Sequence, residues 1–378
     1  MKENTIYLDN AATSRFKPKA VLDALNFDIL HSANSGRSGH KDALEKSLAI
    51  EKCRELILSV LGANEEYGVI FTKNCTEALN LAIFGLIKGG EIVVTSTNEH
   101  NSVLRPLFAL ENQGKIKLTV LKAHRDGHLS IDEIKEAAKT TDIMVLGGAC
   151  NVTGATLDLA KVGEIARENG VKLIVDGAQS VPYCDLNVAD FGIDMLACPG
   201  HKGLHGIQGT GFLVVKNDIK LKPLLYGGTG THSAELFPPF DVPESYEAGT
   251  QFSGGISTLA QGVKWTYGKL NIIKKHIDRL SNNLILNLKD IGATIYTEET
   301  KCGVVAFNLK ALDSTFVADI LDDNGIAVRA GLHCAPLVHK TLGTLTQGAV
   351  RASIGVDNTD KDITALSAVL ESIMRKYC

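Results

Sequence analysis

Short apolar runs alternate with amphipathic stretches through the first two-thirds of the chain. YGVIFT, EIVVTS, IKLTVLKA, DIMVLGG, VKLIVDGAQS and FGIDMLACP are runs of strand length bounded by turn-forming residues. They read as buried strands, rich in branched side chains. Between them lie helical patterns. TEALNLAIFGL follows the first strand directly, and DLAKVGEIARENG precedes VKLIVDGAQS. DGHLSIDEIKEAAK reads as a turn, then a helix with a capping box from Ser130 to Glu133. Ahead of them all, HKDALEKSLAIEKCRELILSVLG reads as a long helix. Leu44, Leu48, Cys53, Leu56, Ile57, Val60 and Leu61 approximate its buried face, and Gly62 suits its end.

Strands alternating with helices predict an α/β fold with a mostly parallel sheet covered on both faces. In such sheets ligands sit beyond the carboxyl ends of the strands. After Gly254 the pattern changes to long helical segments, then GVVAFNLK, ADILDDNGIAVRAG and a final helix. That change predicts a large domain over 15–255 and a smaller α+β domain over 256–378, joined by 1–14.

Composition narrows the class. The chain has 378 residues, 44% hydrophobic and 22% charged, with a formal net charge of −4 and no basic block. Neither nucleic acid nor an acidic membrane is an expected partner. No run of about 18 apolar residues suggests a membrane span. The start, MKENTIYLDNAATS, is polar where a signal peptide needs its apolar stretch, so a soluble cytoplasmic protein is expected. The eight cysteines are scattered, with no C-x-x-C spacing, and read as free thiols in a reducing compartment. Core packing is the ordinary role for most of them.

Chemistry concentrates after the strands. FTKNCTEALN hands a strand over to a helix, where exposed backbone N–H groups can hold a phosphate and Thr76 can add a donor. A plain helix cap is the simpler role for Thr76. VKLIVDGAQS ends a buried run in Asp176, a costly carboxylate unless it is paired or hydrogen-bonded. It suits a helix cap, an ion pair, or a cationic ring nitrogen, and Gln179 can reach the same ligand. In CPGHKGLHGIQGTG, Lys202 stands among glycines that permit close approach of a flat ligand. A desolvated lysine there becomes a nucleophile. The histidine pair in HKGLH lacks the glutamate of a zinc helix and reads as no metal site. Phosphate loop, buried acid and glycine-flanked lysine, in that order, are the parts a pyridoxal-phosphate enzyme needs.

Nine stretches then match a known family in order: YLDNAATS, TEALN, NEHNSVL, CNVTGATLDL, VDGAQSVPY, GHKGLHGIQGTGFL, YEAGT, RAGLHCAP and VRASIGVDNT. The chain resembles the class V aminotransferase superfamily, and within it group II cysteine desulfurases and selenocysteine lyases. The resemblance implies pyridoxal-phosphate fold type I, as in aspartate aminotransferase. It implies that Lys202 is the Schiff-base lysine, His100 the ring-stacking histidine, Asp176 the partner of the pyridinium nitrogen and Gln179 that of the phenolic oxygen. Cys75, Thr76 and His201 match phosphate contacts. Thr250 matches a phosphate contact supplied by a neighbouring subunit, which implies a homodimer. Asn151 matches a residue near substrate and ring, and Arg351 the fork on the substrate carboxylate. Arg329 is placed with the substrate.

Cys334 decides the subclass. Desulfurases need a thiol here to take sulfur from L-cysteine as a persulfide, releasing L-alanine, before an acceptor protein or reductant removes it. His333 and Arg329 are the candidates to favour its thiolate. Three positions depart from the family pattern. Leu332 replaces the first of two histidines, Ala330 a threonine, and Cys75 a common hydroxyl residue. They leave open a selenocysteine lyase, a cysteine sulfinate desulfinase, or another class V aminotransferase or β-lyase. A non-catalytic scaffold is disfavoured, because Lys202, Asp176 and Arg351 are all present.

Overall fold

The computed structural model describes residues 5–35, 39–229, 234–236 and 241–378. The chain opens with strand β1 (Ile6–Tyr7) and helices α1 (Lys19–Leu30) and α2 (Lys41–Val60). Alternation follows: β2 (Tyr67–Thr72), α3 (Cys75–Leu86), β3 (Ile92–Ser96), α4 (Asn101–Asn112), β4 (Lys117–Leu121), α5 (Ile131–Ala138), β5 (Ile143–Gly147), α6 (Leu159–Asn169) and β6 (Lys172–Asp176). Two strands without an intervening helix, β7 (Met195–Pro199) and β8 (Gly211–Lys216), complete a seven-stranded sheet of order β2-β8-β7-β6-β5-β3-β4. Only β8 runs against its neighbours. The expected parallel sheet is present, and its strands deliver their following loops to one edge.

Helices cover both faces. Leu79 and Ile83 of α3 are fully buried on one face, and Ile57 of α2 and Val162 of α6 on the other. Each such side chain contributes about 1.5–3 kcal/mol. Ser130 caps α5 by accepting from the Glu133 N–H. The inner face of α2 differs from the expected one. Ala43, Lys46, Ile50, Cys53, Arg54 and Ile57 are buried, whereas Leu44 and Leu48 are exposed. Lys46 enters the core because it pairs with Asp28, and Arg54 because it forks onto buried Glu247 at 2.6 and 2.8 Å.

The second unit contains α8 (Leu270–Ile291), β9 (Thr294–Ile295), β10 (Val304–Asn308), α9 (Ser314–Asp323), β11 (Ile326–Ala327), β12 (Arg329–Gly331), α10 (Pro336–Leu342), β13 (Ala349–Ser353) and α11 (Asp360–Tyr377). Its four-stranded antiparallel sheet has the order β12-β13-β10-β9. Helix α7 (Ser253–Tyr267) lies between the units in sequence but packs with the larger one: Ile256, Leu259 and Val263 join its core. Segment 256–267 thus sits with the larger sheet, later than the change of pattern after Gly254 suggests. The N-terminus packs the other way. β1 pairs with β11, and Leu8 is buried in the smaller core. No described helix is long and apolar enough to cross a membrane.

Candidate active site

A cleft opens at the edge to which the strands run. Cys75, Thr76, His100, Asn151, Asp176, Gln179, His201 and Lys202 all line it. Residues spread over more than a hundred positions meet because each follows a strand of one sheet.

Lys202 follows β7. Burial pushes its ammonium below the usual lysine range, against the opposing pull of the Asp176 charge. Lys17 pins the loop around it, donating to Ser14 Oγ at 2.8 Å and the Gly206 carbonyl at 2.6 Å. The flanking glycines serve this loop's own packing. A Cβ at Gly200 would meet Thr210 Oγ1 at 2.3 Å, and one at Gly203 the Val181 carbonyl at 2.7 Å.

Asp176 ends β6 and is buried. Of the roles open to it, neither cap nor ion pair is used among the described residues. Its Oδ1 accepts from the Ala178 N–H at 2.9 Å and from the Cys75 thiol at 3.5 Å. Helix α3 is capped by Asn74, whose side chain accepts from the Glu77 N–H, so Thr76 is not the cap. Thr76 Oγ1 instead shares a hydrogen bond of 2.7 Å with Ser102 Oγ.

His100 caps α4. Its Nδ1 accepts from the Ser102 N–H at 3.1 Å, which leaves the hydrogen of the neutral ring on Nε2. Burial lowers its pKa, against the opposing charge of Asp176. His201 is held by Thr13 Oγ1 at 3.0 Å, and burial with the nearby lysines pushes it down to about 4. Gln179 Nε2 donates to the Ala11 carbonyl at 3.0 Å.

The smaller unit does not line the cleft itself but stands beside it as a second wall, bonded to residues of the first. Arg351 on β13 donates from Nη1 to the Asn151 carbonyl and from Nη2 to Asp9 Oδ1, both at 2.9 Å. Arg329 is its register partner on β12. Asn151 Nδ2 donates to the His333 carbonyl at 2.8 Å. Cys334 is exposed, and its carbonyl accepts from the Asn101 N–H, next to His100, at 2.7 Å. Both His333 and Cys334 have left-handed backbones, φ 50° and 57°. The role suggested for His333 fails. Its ring is buried against His339 and bonds the Ala349 carbonyl, and its pKa is pushed down to about 2. A neutral ring turned inward supplies no positive charge to Cys334.

Thr250 is not brought into the cleft. It lies exposed in a separate depression with Lys73 and Glu77. Two residues of the site carried no assigned role in the sequence. Asp9, inside YLDNAATS, anchors Arg351. Glu99, inside NEH, lines the cleft, accepts from Ser96 Oγ at 2.6 Å and has no cation beside it. Burial raises it to about 8. A charge at the end of the buried run EIVVTSTNEH was the available signal, the same one that singled out Asp176.

A family model described as Aminotransferase class-V matches residues 6–366. The chain belongs to the class V aminotransferase family. Class V members named as probable cysteine desulfurases are similar over nearly their whole length. The one from Methanothermobacter thermautotrophicus is 33% identical, covering 97% of this chain and 94% of its own. The one from Pyrococcus abyssi is 32% identical, covering 99% and 96%. Among solved structures, the apo cysteine desulfurase of Thermococcus onnurineus NA1 superposes with a TM-score of 0.92 at 32% identity, over 98% of this chain and 95% of that one. The cysteine desulfurase CsdA of Escherichia coli, as an S-sulfonic acid, gives 0.88 at 28% identity, over 99% and 96%. The fold is therefore the pyridoxal-phosphate type I fold, and the class V family is pyridoxal-phosphate-dependent.

The residues present fit that cofactor. A lysine whose pKa burial lowers, an acid held by two donors, an imidazole whose pKa burial lowers and the first residues of α3 line one cleft. Among and beside them, Asn151 Oδ1 and Arg351 Nε are buried with no partner among the described residues.

Proposed function

We propose that this class V enzyme is a cysteine desulfurase, taking L-cysteine to L-alanine and leaving the sulfur as a persulfide on Cys334. Cys334 carries the reading: it is an exposed thiol on a left-handed turn, tied through its carbonyl to the residue beside His100. A structural cysteine is normally buried, as the six from Cys53 to Cys302 are.

When bound, pyridoxal phosphate supplies an electron sink that acidifies the substrate Cα–H. Lys202 would hold it and then move the Cα proton, a task its lowered pKa suits. Asp176 would face the ring nitrogen, His100 the ring and Gln179 the phenolic oxygen. Thr76, His201 and the start of α3, with Cys75 at its first turn, would hold the phosphate. Arg351 would bind the substrate carboxylate, with Asn151 and Arg329 beside it. Arg329 is then the cation left to favour the Cys334 thiolate. The thiolate attacks the substrate sulfur, the C–S bond breaks, and a proton goes to the carbon that becomes the alanine methyl. A sulfur-acceptor protein or a reductant then clears Cys334.

A homodimer, with Thr250 reaching the other subunit, is supported by apolar side chains left bare on α1 and α2. Phe27, Ile29, Leu30, Leu44 and Leu48 are all more than half exposed, the largest being Leu30 at 78%. A cytoplasmic location is supported by eight free cysteines.

The test is alanine formed from L-cysteine, with and without reductant, by wild type and Cys334→Ser. Wild type should form alanine and carry one added sulfur on Cys334. The variant should lose at least about a hundredfold in rate. Equal rates would make the protein a simple lyase. No alanine from cofactor-loaded wild type would end the desulfurase reading and turn attention to selenocysteine and amino-group transfer.

A further inference from the structure

Cys75 stands where resembling chains commonly carry a hydroxyl, and its side chain is engaged with the buried acid. It turns back under the cleft and meets Asp176 Oδ1 at 3.5 Å, within reach for a sulfur donor. The Ala178 N–H reaches the same oxygen at 2.9 Å. Asp176 Oδ2 has no hydrogen-bond partner among the described residues.

We infer that Cys75 is a positioning residue for Asp176: its thiol and the Ala178 N–H together hold Oδ1, leaving Oδ2 for the cationic ring nitrogen of the cofactor. The inference rests on the cofactor reading above and deepens it. Fixing one oxygen from two sides removes rotation of the carboxylate about its last bond, so the free oxygen is presented in one orientation. Donor strength matters as well. A thiol is a weaker donor than a hydroxyl. Cys75 therefore orients Asp176 with a weak hydrogen bond and leaves the second oxygen free for the ring nitrogen. Burial and the charge of Asp176 push the thiol well above its ordinary pKa, so it remains an S–H donor.

The experiment compares wild type with Cys75→Ala and Cys75→Ser. The first readout is the infrared S–H stretch of the apoprotein, assigned by difference against Cys75→Ala. It should lie below the free-thiol position and move toward it in Asp176→Asn. The second is pyridoxal-phosphate affinity of the apoprotein at one pH, read by absorbance. It should fall about fivefold in Cys75→Ala, which has no donor, and stay within about twofold of wild type in Cys75→Ser, whose hydroxyl can still reach Oδ1. Equal losses in both variants, or none in either, overturn the inference, since packing alone treats the two smaller side chains alike. A free-thiol band in protein that does bind the cofactor also overturns it, without touching the cofactor reading. An apoprotein that takes up no pyridoxal phosphate overturns the cofactor reading and this role with it, and the infrared band then still tells whether thiol and acid are paired.

Discussion

The wall of the cleft built on the seven-stranded sheet and the wall built on the smaller sheet differ in how far their polar groups are satisfied. On the first, Asp176 Oδ1 has two donors, His100 Nδ1 accepts from Ser102, and Gln179 and His201 each have a partner. On the second, Arg351 Nε and His333 Nδ1 are buried without one, as is Asn151 Oδ1 where the two walls meet, and His333 and Cys334 hold left-handed backbones. Each unsatisfied buried group costs about 1–3 kcal/mol, and each strained residue a similar amount. The difference separates a wall preorganised for a resident group from one that keeps donors and strain in reserve for a visitor.

The sharpest way to break this comparison is at Arg351. If its unpaired edge waits for the substrate carboxylate, Arg351→Lys keeps the charge and loses the fork. The expected loss is about 2 kcal/mol of substrate binding, a rise of about thirtyfold in KM for L-cysteine with a smaller change in kcat. Melting temperature is followed alongside, because Arg351 also bonds Asp9 and Asn151. An unchanged KM in a folded variant would make the unpaired Nε a packing defect.

Glu99 is the exception on the first wall, and it sharpens the comparison by its pH dependence. It is fully enclosed with no cation beside it, and burial raises it from 4.5 to about 8. A raised folded pKa favours the folded state where the acid is protonated. Its contribution is fully present below pH 4.5 and is lost as pH rises toward about 8. Wild type should therefore lose stability across that window, and Glu99→Gln, which cannot ionise, should follow a flatter curve. The check is a series of thermal melts of both proteins. Parallel curves would mean that Glu99 is ionised in the fold and has a partner the comparison overlooks.

Legibility in the sequence followed the same division. The strands, the order of the cleft residues and the importance of Asp176 and Lys202 could be read because local apolar runs end where charge begins. The face of α2 could not. Arg54 is buried by Glu247, 193 positions away, and no periodicity records so distant a partner. The glycines around Lys202 were visible as glycines, but what each avoids is a side chain or carbonyl brought there by folding. His333 was read as a neighbour of Cys334, which it is in sequence. The positive φ of both residues sends its ring inward to Ala349 and His339 instead. Local pattern reported the elements and the strand-end chemistry, and tertiary partners decided which polar groups were spent.

The smallest expected effect tests whether the two walls are independent. Asn74 caps α3 with an extended backbone, accepting from the Glu77 N–H at 2.9 Å, while Glu77 Oε2 accepts from the Lys73 N–H at 2.6 Å. Asn74→Ala should cost about 1 kcal/mol, seen as a lower denaturant midpoint with an unchanged slope. It should loosen the start of α3 and weaken pyridoxal-phosphate binding modestly. Cys334 lies on the other wall, so its alkylation rate by iodoacetamide should stay within about twofold, as for sites that share no partner. A link between them runs from Thr76 through Ser102 and α4 to the Asn101 N–H on the Cys334 carbonyl. A larger change in alkylation would show that this link transmits strain from the first wall to the second. The strained turn would then be set by the state of the cofactor wall, and the distinction between a preorganised wall and a waiting one would have to give way to a single coupled site.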